Sequence, residues 1–195
     1  STAAHSPVIG LIGSEGSYGR WLRHFFSGRM GLQVLGADPG HANTLSPDEL
    51  IARCSVLVFC TPIRHTPAII ADYARRAAGR ERAALWLDIT SVKNEPVTAM
   101  LASQAEVVGL HPMTAAPKAP TLKGRVLVVC EARLDHWRCW FDRFLAALRA
   151  QCLQVSAQTA RILAGSGERG VCHGQLLLFG GVAFLTGAAH RHQLP

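Results

Sequence analysis

The chain predicts an α/β fold built on a doubly wound, mostly parallel sheet, followed by a short irregular or partly helical C-terminal tail. Three observations carry this expectation. Short β-branched apolar runs alternate with longer amphipathic stretches, the pattern of βαβ units. The first such run passes through a glycine-rich turn straight into the first amphipathic stretch. Nearly half of the 195 residues, 49%, are apolar, which suffices to cover both faces of such a sheet.

The first strand is expected over Val8 to Ile12 and the first helix over about Tyr18 to Met30. Gly31 is placed to end that helix, because glycine accepts the left-handed conformation a helix C-terminus commonly needs. A second strand follows at about Gln33 to Ala37. Ser46-Pro47-Asp48-Glu49 reads as an N-cap, a proline at the first helical position and acidic first-turn residues. Strand three is Val56 to Cys60, and Thr66-Pro67 opens the next helix in the same manner. Leu85 to Ile89 is strand four, a helix covers about Glu95 to Ser103, and Val107 to Leu110 is strand five. Arg125 to Cys130 is a sixth strand, Leu134 to Gln151 a long helix, and Leu153 to Val155 a last short strand. Past about Ala164 seven of the eighteen glycines fall between Gly165 and Gly187. Each costs a helix about 1 kcal/mol against alanine, so no stable helix is expected there. Residues 7–156 thus read as one domain and 157–195 as a remnant or atypical C-terminal segment.

Composition narrows the function classes. The formal net charge is +7, but the arginines are scattered and no basic stripe alternates with aromatics, which argues against nucleic acid. Anionic small molecules account for the excess equally well. No apolar run is long enough to span a bilayer and no signal-peptide pattern opens the chain, so no membrane partner and a cytoplasmic location are expected. The six cysteines form no C-x-x-C pair, and they read as buried free thiols rather than a metal site.

The glycine turn carries the first chemical signal. Gly13-Ser14-Glu15-Gly16-Ser17-Tyr18-Gly19 lies between a strand and a helix, where backbone N–H groups and the helix N-terminus can face a pyrophosphate. Gly16 allows close approach of the backbone, and Gly19 lets the helix pack on the strand. Ser14 stands where the common fingerprint has its first glycine, with Gly13 just before it. Asp38, at the end of the second strand, is positioned to accept hydrogen bonds from ribose hydroxyls and to repel a 2′-phosphate. Together these residues predict a Rossmann-type dinucleotide site for NAD, with NADP possible.

Three later segments fall at the C-terminal ends of predicted strands, where open α/β sheets place ligands. They are Thr61-Pro62-Ile63, Asp88 to Lys93, and Gly109-Leu110-His111-Pro112-Met113. Individually they read as a turn, a helix cap with a solvent-facing lysine, and a loop histidine. In these motifs, above all Thr-Ser-Val-Lys and Gly-Leu-His-Pro-Met, the chain resembles the prephenate/arogenate dehydrogenase family of tyrosine biosynthesis over about Pro7 to Ser156. The resemblance implies oxidative decarboxylation of prephenate or arogenate by hydride transfer to the nicotinamide. It implies that His111 takes the proton of the ring hydroxyl, that Ser91 hydrogen-bonds near that hydroxyl and His111, and that Lys93 orders the site or attracts the anionic substrate. Thr61 and Pro62 would line the nicotinamide end.

Members of that family continue into a helical domain that forms the homodimer and grips the substrate carboxylates. Its His-Asp opening is missing here, where Gln158 to Ala164 is followed by the glycine-rich tail. The expectation is a truncated or frame-disrupted chain; a short variant using Arg169, His173 or Gln175 is the alternative. A non-catalytic NAD-binding module and a different small-acid dehydrogenase or reductase stand as competing functions.

Overall fold

A computed structural model describes residues 6–156, 175–179 and 182–186. Five strands run parallel: β1 Ile9–Ile12, β2 Val34–Ala37, β3 Val56–Phe59, β4 Leu85–Asp88 and β5 Glu106–Pro112. Two further strands, β6 Val126–Arg133 and β7 Gln151–Ser156, are parallel to each other, and β6 pairs antiparallel with β5. The sheet order is β2-β1-β3-β4-β5-β6-β7. The chain leaves β2 and crosses over β1 to reach β3, so the direction of winding reverses at β1/β3. That reversal opens a crevice beyond the C-terminal ends of the two strands.

Side chains alternate along each strand and both faces are apolar, as a sheet covered on both sides requires. Ile9 and Leu11, Val56 and Val58, Leu85 and Leu87, and Val108 and Leu110 face one layer, with Phe25, Phe26, Trp140 and Phe144. Leu57, Phe59, Trp86 and Val107 face the other, with Leu50, Ile70, Tyr73 and Met100. The first layer is covered by α1 Ser17–His24, which continues as a wider π turn to Arg29, and by α5 Arg138–Leu148. The second is covered by α2 Pro47–Arg53, α3 Thr66–Ala77 and α4 Asn94–Leu101.

Most local signals are realised. Gly31 takes φ +66° just past the first helix. Ser46 and Glu49 form a reciprocal capping box around Pro47. Other boundaries differ. The helix expected from Leu134 begins at Arg138, because the Glu106 carboxylate of β5 accepts the amides of Asp135, His136 and Trp137 ahead of it. His65, not Thr66, is the N-cap of α3. Cys139 is exposed rather than buried, whereas Cys54 and Cys130 are buried free thiols. In the tail, expected irregular or partly helical, β8 Gln175–Phe179 and β9 Val182–Thr186 pair antiparallel. β8 is rich in leucine and β9 mixes valine, phenylalanine and leucine, the residue types that strands favour. Gln158 to Ala164, Arg169 and His173 lie outside the described residues. No helix among the described residues is long and apolar enough to cross a membrane.

Candidate functional site

The strand register lines up one row across the sheet: Ala37, Ile12, Phe59, Asp88 and Gly109 are successive neighbours on β2, β1, β3, β4 and β5. The residues just beyond this row are those the sequence singles out. At one end of it lies a cavity of about 910 Å³, walled by Gly13, Gly16, Asp38, Thr61 and Pro62. At the other lies His111, three strand steps or about 14 Å from β1.

The glycine turn is built for close approach. Gly13 takes φ +80°, and a Cβ there would sit 2.9 Å from the Cys60 carbonyl oxygen, so the tight turn against β3 requires glycine. Gly13 therefore performs the turn that the common fingerprint assigns to the position of Ser14. Ser14 itself turns inward, and its buried Oγ has no hydrogen-bond partner among the described residues. A Cβ at Gly19 would run into the Gly13 carbonyl oxygen and lie 2.8 Å from the Ser14 backbone, so this residue sets how closely α1 packs on the turn. At Gly16 a Cβ would meet nothing closer than 3.5 Å, and the backbone there borders the cavity. Gly16 is also the N-cap of α1; no side chain caps this helix and no acidic residue stands in its first turn. An uncapped N-terminus facing an open cavity suits a phosphate group. Ser17 is exposed at this helix start.

Asp38 reaches back to the turn, its Oδ2 accepting the Glu15 amide at 2.9 Å. The other carboxylate oxygen has no partner among the described residues and is available to a ligand hydroxyl. Across the cavity, Thr61 is tied to α3 through Thr66, the two hydroxyls lying 2.7 Å apart. Sequence reasoning missed the apolar floor of this cavity, which includes Leu45, Ala68, Ile69 and Tyr73. These are ordinary amphipathic positions of α3 and its neighbours, and only the crossover to β3 brings them beneath the turn. The donors, the acceptor and the apolar floor fit a dinucleotide: phosphate at Gly13–Ser17, ribose at Asp38, and a flat base against the apolar side. Tyr18 makes a contact that the sequence does not show. Its hydroxyl donates to the Thr114 carbonyl at 2.6 Å, and burial pushes its pKa up to about 12. It ties the head of α1 to the segment after β5.

At the far end, Lys93 is buried rather than solvent-facing. Its Nζ donates to Asp88 Oδ2 at 2.5 Å and to the Leu110 carbonyl at 2.7 Å. Asp88 Oδ2 also accepts the Thr90 amide and hydroxyl. Burial pushes Lys93 below the ordinary lysine range, while the Asp88 carboxylate pulls the other way. Lys93 thus has two acceptors in place and almost no exposed surface. His111 is partly buried, and burial together with the nearby Lys93 charge pushes its pKa down to about 4. It is neutral at physiological pH. Ser91 is exposed and makes no hydrogen bond among the described residues, to His111 or otherwise. Asp88 was legible only as the single acid closing the apolar run Leu85-Trp86-Leu87.

A glycine turn, a carboxylate after the second strand and an apolar floor at the winding reversal define a nucleotide-binding domain of the oxidoreductase type. Residues 35–135 match the family described as "Prephenate dehydrogenase, nucleotide-binding domain", and the chain belongs to that family, whose cofactor class is NAD(P). It is 28% identical over 158 residues to the T-protein of Enterobacter agglomerans, covering 77% of this chain and 38% of that protein. The chain thus spans well under half the length of this relative. Among solved structures it resembles prephenate dehydrogenase from A. aeolicus in complex with hydroxyphenyl propionate and NAD+. That likeness has a TM-score of 0.65 at 14% identity, over 82% of this chain and 63% of that one. Pyrroline carboxylate reductase from Plasmodium falciparum with NADP bound gives 0.59 at 14% identity, over 76% and 57%. At such identities these likenesses speak to the fold alone.

Proposed function

We propose that this domain serves NAD(P)-dependent oxidative decarboxylation of prephenate or arogenate, with NAD preferred. The observation that carries the reading is His111, which stands at the C-terminal end of β5, three strand steps or about 14 Å from β1 and its nucleotide turn. In this reading Gly13, Ser14, Gly16, Ser17, Tyr18 and Gly19 form the pyrophosphate turn. Ser14, Tyr18 and Gly19 act by shaping it, since their side chains or missing Cβ pack inward. Asp38 holds the adenosine ribose, and its charge opposes a 2′-phosphate. Thr61 and Pro62 border the nicotinamide half.

When bound, NAD(P)+ supplies the two-electron acceptor. His111 accepts the proton of the ring hydroxyl as the C–H bond on the same carbon breaks, and the ring carboxylate departs as CO₂ to leave an aromatic product. A neutral imidazole is required for that role. A dianionic substrate also raises the proton affinity of His111 as it binds, bringing the free-site value of about 4 toward the working pH. Ser91, exposed at the turn before α4, is free to hydrogen-bond the reacting hydroxyl. Lys93 supports His111 from below.

The test is His111→Ala assayed for prephenate turnover and for NAD binding by calorimetry. The expected outcome is a loss of at least 100-fold in kcat with NAD affinity within threefold of the parent. Equal loss of NAD affinity would make His111 structural. NAD binding without turnover in the parent chain would select a binding module.

A further inference from the structure

The sheet geometry places a buried charge pair directly beneath the proposed base. Asp88, Gly109 and His111 lie on the same face: Asp88 and Gly109 are register neighbours on β4 and β5, and His111 follows Gly109 by two residues. Lys93 stands at the head of α4, the helix packed on this face. Asp88 is fully buried, and its Oδ2 gathers three donors: the Lys93 ammonium, the Thr90 hydroxyl and the Thr90 amide. The Lys93 ammonium then spans to the carbonyl of Leu110, the residue preceding His111. Gly109 is what makes room. A Cβ there would lie 2.9 Å from Val97, 3.0 Å from the Lys93 stem and 3.1 Å from Asp88 Oδ1, so any side chain would displace the pair.

A buried ion pair is an unpromising source of stability, because desolvating two charges offsets most of their attraction. Its presence at this strand end calls for another role. Resting on the reading of His111 as the base, we propose that Asp88 is a positioning residue. It anchors the Lys93 ammonium, which pins the Leu110 carbonyl and sets a fixed positive charge beside the imidazole.

The consequence is electrostatic as well as geometric. Among the described residues, titratable groups near this end of β5 include Asp88 of β4, Lys93 at the head of α4, Cys130 of β6 and Tyr18 at the head of α1, while Cys60, just past β3 and raised by burial, neighbours Asp88. Burial raises the pKa of both Cys130 and Tyr18 above their ordinary values, so both stay neutral. Lys93 is therefore the cation that bears on His111, and it disfavours the imidazolium. Without Asp88 the buried ammonium would lose its counter-charge and shed its proton, and the bridge to Leu110 would lose its strength. Burial does most to keep the base unprotonated and the Lys93 charge adds to it; the pair also keeps the strand end from shifting when an anionic ligand arrives.

The experiment is an NMR titration of the His111 ring in the full chain, uniformly labelled with ¹³C and ¹⁵N. The parent is compared with Lys93→Met and Asp88→Asn, and folding is checked by circular dichroism. In the parent, His111 is expected to titrate below pH 5. In folded Lys93→Met its midpoint is expected to rise by one pH unit or more, since only burial then depresses it. Folded Asp88→Asn is expected to shift the Leu110 and His111 backbone resonances and to lose the charged Lys93 ¹⁵Nζ signal at pH 7. An unmoved midpoint in folded Lys93→Met would overturn the proposal. If neither variant folds, the parent alone decides. A midpoint of 6 or above, or a Lys93 Nζ free of slow-exchanging protons at pH 7, overturns the proposal; a midpoint below 5 with a protected ammonium supports it. None of these readouts depends on turnover. A chain that behaves as expected but does not oxidise prephenate would refute the functional reading and leave the positioning role intact.

Discussion

Asp38→Asn isolates the charge at the mouth of the nucleotide crevice while preserving its shape. In the parent, one carboxylate oxygen is held by the Glu15 amide at 2.9 Å and the other is open to a ligand. An asparagine carbonyl can still accept the Glu15 amide, so the turn keeps its geometry and only the charge is lost. For NAD, a charge-assisted hydrogen bond to a ribose hydroxyl becomes a neutral one, costing about 1 kcal/mol. For NADP, repulsion between a carboxylate and a 2′-phosphate about 6 Å away is removed. That is about 0.7–3 kcal/mol per unit charge between fully solvated and partly screened limits. The selectivity for NAD over NADP should therefore fall by about 2–4 kcal/mol, or about 30- to 700-fold. Calorimetric titration with each dinucleotide at fixed ionic strength measures the ratio directly. A ratio that moves less than fivefold would show that Asp38 serves the turn and not the ribose, and the assignment of the crevice to NAD would fail with it. Asp38→Ala should do the same to the ratio and weaken both ligands further, because Glu15 then loses its acceptor.

Two other outcomes follow from the geometry. Gly19→Ala places a methyl group against the Gly13 and Ser14 backbone, which cannot yield as a flexible side chain could. It should cost about 1–3 kcal/mol in urea unfolding and at least tenfold in NAD affinity, whereas Gly16→Ala, with open space around it, should leave stability nearly unchanged. The His111 shift also makes stability depend on pH. Its folded value, about 4, lies below the ordinary 6.5, so the unfolded chain binds a proton that the folded chain refuses. Stability from this group is complete above about pH 7 and falls as pH drops toward 4, by about 2 kcal/mol at pH 5. His111→Gln should flatten that segment of the urea-midpoint profile; an unaltered slope would mean that the imidazole is not depressed.

Much of the molecule was legible before folding because its signals are local. The glycine turn, the Ser46–Glu49 capping box and the Gly31 stop each depend on residues within one or two turns of chain. The continuous apolar runs of β1, β3 and β4 announce strands buried on both faces. The family motifs Thr-Ser-Val-Lys and Gly-Leu-His-Pro-Met fall at the C-terminal ends of β4 and β5. The roles of single side chains within them were less legible. Lys93 in isolation reads as a solvated cation, and Tyr18 as part of a nucleotide turn, because their partners Asp88, Leu110 and Thr114 are brought to them only by the fold.

The amino-acid sequence by itself thus determined the succession of elements, the glycine turn after β1 and the acid just beyond β2, since hydrophobic period and turn chemistry act over short stretches. The tertiary structure alone decided which way β6 runs, that Glu106 starts α5 from another strand, and that Lys93 is a buried strut under His111. Those outcomes depend on strand order and register, which bring residues 17, 30 and 96 positions apart within hydrogen-bonding distance. No local pattern encodes such a meeting, because its free energy exists only once the sheet has closed around it.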